Sequence, residues 1–156
     1  MLNRFEQFST MIASIYRDIQ SIERDEMEKF GYKGAYAQYL IALRRSEDGL
    51  TPAEMCEICG KDKAAVSRAL SEMEKSGLIV KEDGEKIYKA RYKLLEKGKA
   101  AADFVCQKAT SAVENVGKCI SEEERTVMYS SLLQIASSLR QLSKDGIPEN
   151  ELRSTL

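Results

Sequence analysis

Residues 51–93 constrain the fold most, because two short helices and a hairpin follow one another there within 43 positions. Thr51-Pro52-Ala53-Glu54 is a capping box with proline at the first helical position, where the N–H that proline lacks would have no helical partner. Gly60 ends this helix, and Asp62 is the N-cap of a second helix that stops before Gly77. Two helices joined by so short a turn predict a helix-turn-helix.

A β-hairpin is predicted directly after the second helix, over residues 78–82 and 86–93. Asp83-Gly84 between them favours the type I′ turn that closes two-residue hairpins. Apolar and basic residues alternate in the second strand, so one face should pack on the core and the other should face solvent. The basic face comprises Lys89, Arg91 and Lys93. A helix-turn-helix beside such a wing is typical of proteins that present one helix to the major groove of DNA.

Long helices flank this unit at both ends. Apolar residues recur every three or four positions in Phe5–Ile22, a narrow seam suited to another helix or another subunit. This helix should end near Gly31, and further helices are expected over residues 35–45, 95–118 and 121–143. We expect the last helix to be buried along one apolar face, formed by Met128, Leu132, Ile135, Leu139 and Leu142.

The predicted fold is mainly α with a small β wing, a winged helix-turn-helix flanked by long helices. We expect a single regulator domain over residues 1–156, with a DNA-binding lobe over about 35–94. Dimerisation helices are expected over about 3–30 and 95–143, and a polar tail over 146–156.

The positive charge of the chain is concentrated in the winged helix. Residues 61–99 hold 11 basic and 7 acidic side chains, whereas the rest of the chain holds 13 basic and 18 acidic ones. The net charge of −1 therefore conceals a basic face on an acidic protein. This asymmetry favours binding of DNA at one defined surface over non-specific coating.

Several classes of protein are disfavoured by what the sequence lacks. The N-terminus has no apolar signal region, and the longest nearly apolar run, Ala35–Leu43, is too short to span a bilayer, so we expect a cytoplasmic protein without membrane contact. The chain has no histidine, no glycine-rich phosphate loop and no pattern of nucleophile and base. We therefore assign no catalytic residue, no cofactor and no enzyme activity.

The second helix of the helix-turn-helix is the predicted reading element. Val66, Leu70 and Met73 recur at helical spacing and should face the core. On the opposite arc, arginine can bind guanine through two hydrogen bonds, serine can bind a phosphate or a base edge, and alanine can contact a thymine methyl. The candidate DNA contacts are Lys63, Ala64, Ser67, Arg68 and Ser71 in this helix and Lys86, Lys89 and Arg91 in the wing.

A set of motifs, in this order and spacing, resembles the MarR family of bacterial winged-helix transcriptional regulators. The motifs are Gln38-Tyr39, Leu50–Glu54, Gly60, Val66–Leu70, Glu74–Ile79 and Leu94–Gly98. The resemblance covers roughly residues 3–143. It implies an obligate homodimer that places two recognition helices in successive major grooves of a pseudo-palindrome of double-stranded DNA, with wings reaching the minor groove. The function it implies is that of a repressor released by a small ligand.

The wing departs from the pattern of that family, in which an Asp-x-Arg pair usually sends its arginine into the minor groove. Counting back from Leu94, the two positions hold Lys86 and Tyr88, so the pair is absent. We therefore expect the wing to contact phosphates, with modest insertion into the groove.

The resemblance also implies a site for a small aromatic or anionic effector between the dimer helices and the DNA-binding lobe. The candidate residues are Tyr16, Arg17, Tyr36 and Tyr39. Arg17 could pair with a carboxylate of the effector. The tyrosines could equally be ordinary amphipathic residues at the edge of the core.

Four cysteines leave another mode of regulation open. Cys56 and Cys59 form a Cys-x-x-Cys pair, and Cys106 and Cys119 lie 13 positions apart. With one such pair and no histidine, a metal site is disfavoured, and core packing of the thiols is favoured over redox sensing. The alternatives to a ligand-released repressor are a cysteine-redox or metal-gated regulator of the same fold and a winged helix that binds protein.

Overall fold

The computed structural model of the chain describes residues 3–82 and 90–146. Its elements are α1 (Arg4–Lys29), α2 (Tyr36–Arg44), α3 (Pro52–Cys59), α4 (Lys63–Lys75), β1 (Ile79–Glu82), β2 (Arg91–Leu94), α5 (Glu96–Gly117) and α6 (Glu122–Asp145). The helix-turn-helix, α3 and α4, and the wing strands follow in the predicted order, which confirms the mainly α fold with a β wing. The chain divides into two compact units, Met1–Val113 and Glu114–Leu156. The predicted tail beyond Gly146 lies outside the described residues.

Capping boxes begin three of the described helices. In α3, Thr51 Oγ1 accepts a hydrogen bond of 3.3 Å from the Glu54 N–H, while Glu54 Oε2 accepts one of 2.8 Å from the Thr51 N–H, as predicted. Ser121 begins α6 in the same way. Asn3 and Glu6 make a further box at α1, which the sequence analysis did not identify. A cap of this kind stabilises its helix by about 1 kcal/mol.

The core of the first unit forms around α2, which packs against α1, α3 and β2. From Tyr36 to Leu43 its side chains are buried, apart from half-buried Gln38. Burial of a large apolar side chain contributes roughly 1.5–3 kcal/mol. The fully buried side chains from other elements include Met27, Met55, Val66, Met73, Leu78, Ile79 and Val105. Helix α2 is therefore the scaffold that holds the helix-turn-helix and the wing.

The two wing strands pair antiparallel, with Glu82 opposite Arg91. A third segment joins them, because Leu50 and Tyr92 form an isolated bridge. The Tyr92 N–H donates to the Leu50 carbonyl at 2.8 Å, and the Leu50 N–H donates to the Tyr92 carbonyl at 3.1 Å. This junction ties the wing to the loop before α3. The predicted hairpin turn falls within residues 83–89, which lie outside the described residues.

Apolar faces of α1 and α6 are exposed in the single chain. The prediction that α6 is buried along one face is wrong for this chain alone: Leu139 is 54% exposed, and no described residue of α6 is buried. In α1, Ile12 and Ile15 are exposed as well. The spacing of apolar residues predicts that a face needs a partner, but it does not tell which chain supplies that partner. None of the described helices has both the length and the apolar character needed to cross a bilayer.

Candidate nucleic-acid interface

The outward face of α4 is the candidate reading surface. Asp62 caps the helix by accepting a hydrogen bond of 2.8 Å from the Ala65 N–H, and this bond is the main cause that lowers the pKa of Asp62. Val66 and Met73 are fully buried on the inner face. The predicted contacts Lys63, Ala64, Ser67, Arg68 and Ser71 are all exposed. At 1.5 Å per residue they cover about 12 Å of helix, which is comparable to the width of the major groove.

The side chains on this face suit a close approach to base edges. Ala64, Ser67 and Ser71 are short, so the helix backbone can come near the floor of a groove without a steric barrier. Arg68 stands among them as a long, forked donor that matches the two acceptors of guanine. The face can therefore combine the strong hydrogen-bonding contact of Arg68 with close approach of short side chains, two of which are serines that can also form hydrogen bonds.

Glu72 ties α4 to the start of α2. Its Oε2 accepts hydrogen bonds from the Tyr36 hydroxyl at 2.8 Å and from the Lys33 ammonium at 2.7 Å. The pKa of Glu72 is lowered, and its hydrogen bond with Lys33 is the main cause. The pKa of Tyr36 is raised, mainly by burial and next by its hydrogen bond with Glu72. Tyr36 is 5% exposed, so this contact links the core to the outer side of α4. Local patterns in the sequence do not reveal this contact, because Tyr36 and Glu72 are 36 positions apart.

The two described basic residues of the wing face are both engaged with the protein. Arg91 donates to the Gly49 carbonyl at 2.6 Å and to Glu54 Oε1 at 3.3 Å. Lys93 pairs with Glu82 on the neighbouring strand at 2.9 Å. The other predicted wing contacts, Lys86 and Lys89, lie outside the described residues.

The four residues predicted for an effector site differ in their surroundings. Tyr36 and Tyr39 are buried in the core, whereas Tyr16 and Arg17 are exposed on α1. A cavity of about 540 Å³ lies at another place, between α2, β2 and the start of α5. It is lined by Leu43, Arg44, Glu47, Lys93, Leu94, Lys99 and Asp103. The sequence did not indicate this cavity, because its walls come from three separate segments.

Three of the cysteines pack against the core. Cys56, Cys59 and Cys106 are half-buried, and Cys119 is exposed. Burial is the main cause that raises the pKa of Cys59 and of Cys106, which lowers the thiolate fraction on which oxidation depends. Within residues 3–82 and 90–146, no three His, Cys, Asp or Glu side chains form a group that could hold a metal ion.

The part of the chain that carries α4 matches a known protein family. The model of the MarR family matches residues 30–86, so the resemblance noted from the sequence is confirmed over this part of the chain. No curated relative matches the chain. Two solved structures of similar fold, a MarR family transcription regulator and a transcriptional regulator, are 19% and 23% identical to this chain.

Solved structures share the fold over most of the chain. A MarR transcriptional regulator from Methanosarcina mazei is 21% identical, with a TM-score of 0.76 over 91% of this chain and 94% of that one. A MarR family regulator from Listeria monocytogenes, complexed with a 26-mer DNA, is 20% identical, with a TM-score of 0.72 over 96% and 99% of the two chains. The Staphylococcus aureus MepR–DNA complex is 20% identical, with a TM-score of 0.67 over 84% and 97%.

Proposed function

From the premise that this chain carries a MarR family lobe in residues 30–86, we propose that it is a sequence-specific DNA-binding transcriptional regulator. The observation that carries the proposal is the outward face of α4, where Arg68 is surrounded by short, exposed side chains on a helix capped by Asp62. The complexes of the Listeria regulator and of MepR with DNA support double-stranded DNA as the partner.

The protein binds its operator as a homodimer. The exposed apolar faces of α1 and α6 support this part of the proposal, because a second copy of the chain can bury them. Two symmetric copies present two α4 helices, so the operator is a pseudo-palindrome with half-sites about one helical turn apart. The two wings then contact phosphates at the flanks of the site.

The regulator is a cytoplasmic repressor that a small aromatic or anionic effector releases from DNA. The cavity offers the cationic side chains of Arg44, Lys93 and Lys99 to an anionic effector. The effector must displace their present carboxylate partners, which are Asp103, Glu82 and Glu96. Such a ligand lowers the affinity for the operator because it binds more tightly to the conformation in which the spacing of the two α4 helices does not match the operator. Gating by oxidation of Cys59 or Cys106 is less well supported, because burial raises the pKa of both thiols.

Selection from a random duplex library tests the proposal. The wild-type protein should enrich a pseudo-palindrome of roughly 16–20 base pairs. Arg68→Ala should weaken binding to that duplex by roughly 5- to 150-fold, as expected for loss of a guanine contact. Lys108→Ala is the matched control, because it removes one exposed positive charge from α5 rather than from α4.

Two results contradict the proposal. Absence of any enriched sequence, with only weak and strongly salt-dependent binding, rules out a sequence-specific regulator. Equal losses in Arg68→Ala and Lys108→Ala show that charge alone, rather than the outward face of α4, governs binding.

A further inference from the structure

Arg91 joins separate parts of the winged helix. Its Nη1 donates a hydrogen bond of 2.6 Å to the carbonyl oxygen of Gly49, and its Nη2 lies 3.3 Å from Glu54 Oε1. Gly49 belongs to the loop between α2 and α3, Glu54 to the first turn of α3, and Arg91 to the start of β2. One guanidinium therefore connects the wing both to the loop between α2 and α3 and to the first turn of the helix-turn-helix.

The Glu54 carboxylate is already oriented by its own helix. Its Oε2 accepts hydrogen bonds from the Thr51 N–H at 2.8 Å and from the Thr51 hydroxyl at 3.0 Å. The other oxygen, Oε1, is the one that receives Arg91. The same carboxylate therefore caps α3 and binds the wing, so a movement of β2 relative to α3 breaks the ion pair between Arg91 and Glu54.

Next to this contact, the backbone of the loop before α3 packs closely against the backbone of β2. Leu50 and Tyr92 exchange two backbone hydrogen bonds, and Gly49 precedes them with φ of +75°. A Cβ at Gly49 would lie 2.5 Å from the Tyr92 carbonyl oxygen, so glycine is what allows the loop to come this near. The Arg91 side chain extends from β2 to Gly49, the residue before this pair of backbone hydrogen bonds.

From this geometry we infer that Arg91 is a positioning residue, which holds β2 against the start of α3 and thereby sets how the wing meets DNA. The inference rests on the proposed DNA-binding function. It is an alternative to the sequence-based prediction of Arg91 as a direct phosphate contact, because two of the five guanidinium N–H donors are engaged with Gly49 and Glu54. An arginine is needed here, since the single ammonium of lysine cannot span two acceptors in the same way.

Amide exchange in the absence of DNA tests whether Arg91 holds β2 against the start of α3, an arrangement that we call the Arg91 clamp. In Arg91→Ala, the N–H groups of Leu50 and Tyr92 should exchange with deuterium about 2- to 13-fold faster, the factor expected when one net hydrogen bond is lost. NMR of the labelled full-length protein measures both amides. The amide of Val66, buried in α4, serves as the internal reference and should keep its rate. Unchanged exchange at Leu50 and Tyr92 overturns the clamp.

The DNA affinity of Glu54→Gln distinguishes a positioning role of Arg91 from a direct contact of Arg91 with DNA. Glutamine keeps an oxygen for the capping box but loses the charge that holds Arg91, so a positioning role predicts binding weaker by roughly 2- to 30-fold. A direct phosphate contact predicts unchanged or tighter binding, because a negative charge disappears and the guanidinium is freed. Glu82→Gln is the matched control, since it removes the same charge from β1, where the partner is Lys93.

Arg91→Lys supplies an independent comparison on the duplex that the wild-type protein selects. Lysine keeps the positive charge that a phosphate contact needs, so a direct contact predicts nearly wild-type affinity. A positioning role predicts that Arg91→Lys loses most of the affinity that Arg91→Ala loses. Hydroxyl-radical footprints at saturating protein should lose protection at the flanks of the site and keep it at the centre, a pattern that partial unfolding does not produce.

The experiments distinguish failure of this inference from failure of the proposed function. If the wild-type protein selects no duplex, the proposed function fails and the DNA-positioning role of Arg91 fails with it, whereas amide exchange still decides whether the clamp exists. If a duplex is selected, and Glu54→Gln binds it as tightly as Glu82→Gln does, the positioning role is overturned and the proposed function stands.

Discussion

The Tyr36 hydroxyl donates a hydrogen bond of 2.8 Å to Glu72 Oε2 and so connects a buried residue of α2 to the helix that we propose reads DNA. Lys33 shares the same carboxylate oxygen at 2.7 Å. An anchor on one edge of α4 resists rotation of that helix about its axis. Because rotation would change which side chains point outward, the contact bears on recognition as well as on stability.

Tyr36→Phe removes this hydrogen bond while leaving the ring in the core. We expect the free energy of unfolding to fall by about 0.5–1.5 kcal/mol, the net value of one hydrogen bond, as measured by urea denaturation. Tyr39→Phe is the matched control: Tyr39 is also buried in α2, but its hydroxyl makes no hydrogen bond within the described residues. Equal effects of the two substitutions would show that the contact with Glu72 contributes nothing to stability.

Ala64→Glu tests whether the outward face of α4 approaches DNA closely. Ala64 is exposed, so the chain should keep its stability, but the larger anionic side chain should abolish binding to the selected duplex through steric and electrostatic repulsion. Ala100→Glu adds the same group at an exposed position of α5 and should bind nearly as well as wild type. Fluorescence anisotropy with labelled duplex compares the two, and similar affinities would contradict the assignment of α4.

The local signals of the sequence predicted the helix-turn-helix well. Thr51, Gly60, Asp62 and Gly77 act through their own backbone neighbours, so their effect on helix ends can be read from a few residues of sequence. The outward position of the candidate contact residues on α4 was equally accessible, because helical spacing separates Val66 and its buried neighbours from the outward arc.

The contacts that connect distant segments could not be predicted in the same way. The phosphate contact of Arg91 stays a prediction, and its contacts within the protein were not foreseen, because alternation in a strand reports which face a side chain takes and not its partner. Its acceptors, Gly49 and Glu54, lie 42 and 37 positions away. The exposed face of α6 shows the same limit, since periodicity marks Leu139 as apolar without indicating which chain covers it.

Acid should destabilise the chain through carboxylates that cap helices. The pKa values of Glu54, Asp62 and Glu124 are lowered, in each case first by a backbone N–H at the start of its helix. These groups bind fewer protons when folded, so their stabilisation is complete above their unfolded pKa values and is lost as pH falls through the lower folded values. Glu23, whose pKa is raised by burial, acts in the opposite direction.

Urea midpoints measured between pH 7 and pH 3 check this dependence. We expect little change down to about pH 5 and a progressive fall below it, as the capping carboxylates take up protons. Asp62→Asn keeps an oxygen that can cap α4 but does not titrate, so its stability should fall less steeply in acid. A slope as steep as that of wild type would show that Asp62 does not contribute to the acid transition.

Leu139→Glu tests whether a second copy of the chain covers the exposed face of α6. Leu139 is 54% exposed in the single chain, so a charge there costs little unless the side chain is buried by a partner. We expect the variant to sediment as a monomer at concentrations where the wild-type protein is a dimer, and to lose affinity for a palindromic duplex because one half-site no longer helps the other. Ser137→Glu places the same charge two residues away, on the opposite side of the helix, and should remain dimeric. A Leu139→Glu variant that stays dimeric would exclude this face from the interface and leave the exposed face of α1, with Ile12 and Ile15, as the next surface to substitute.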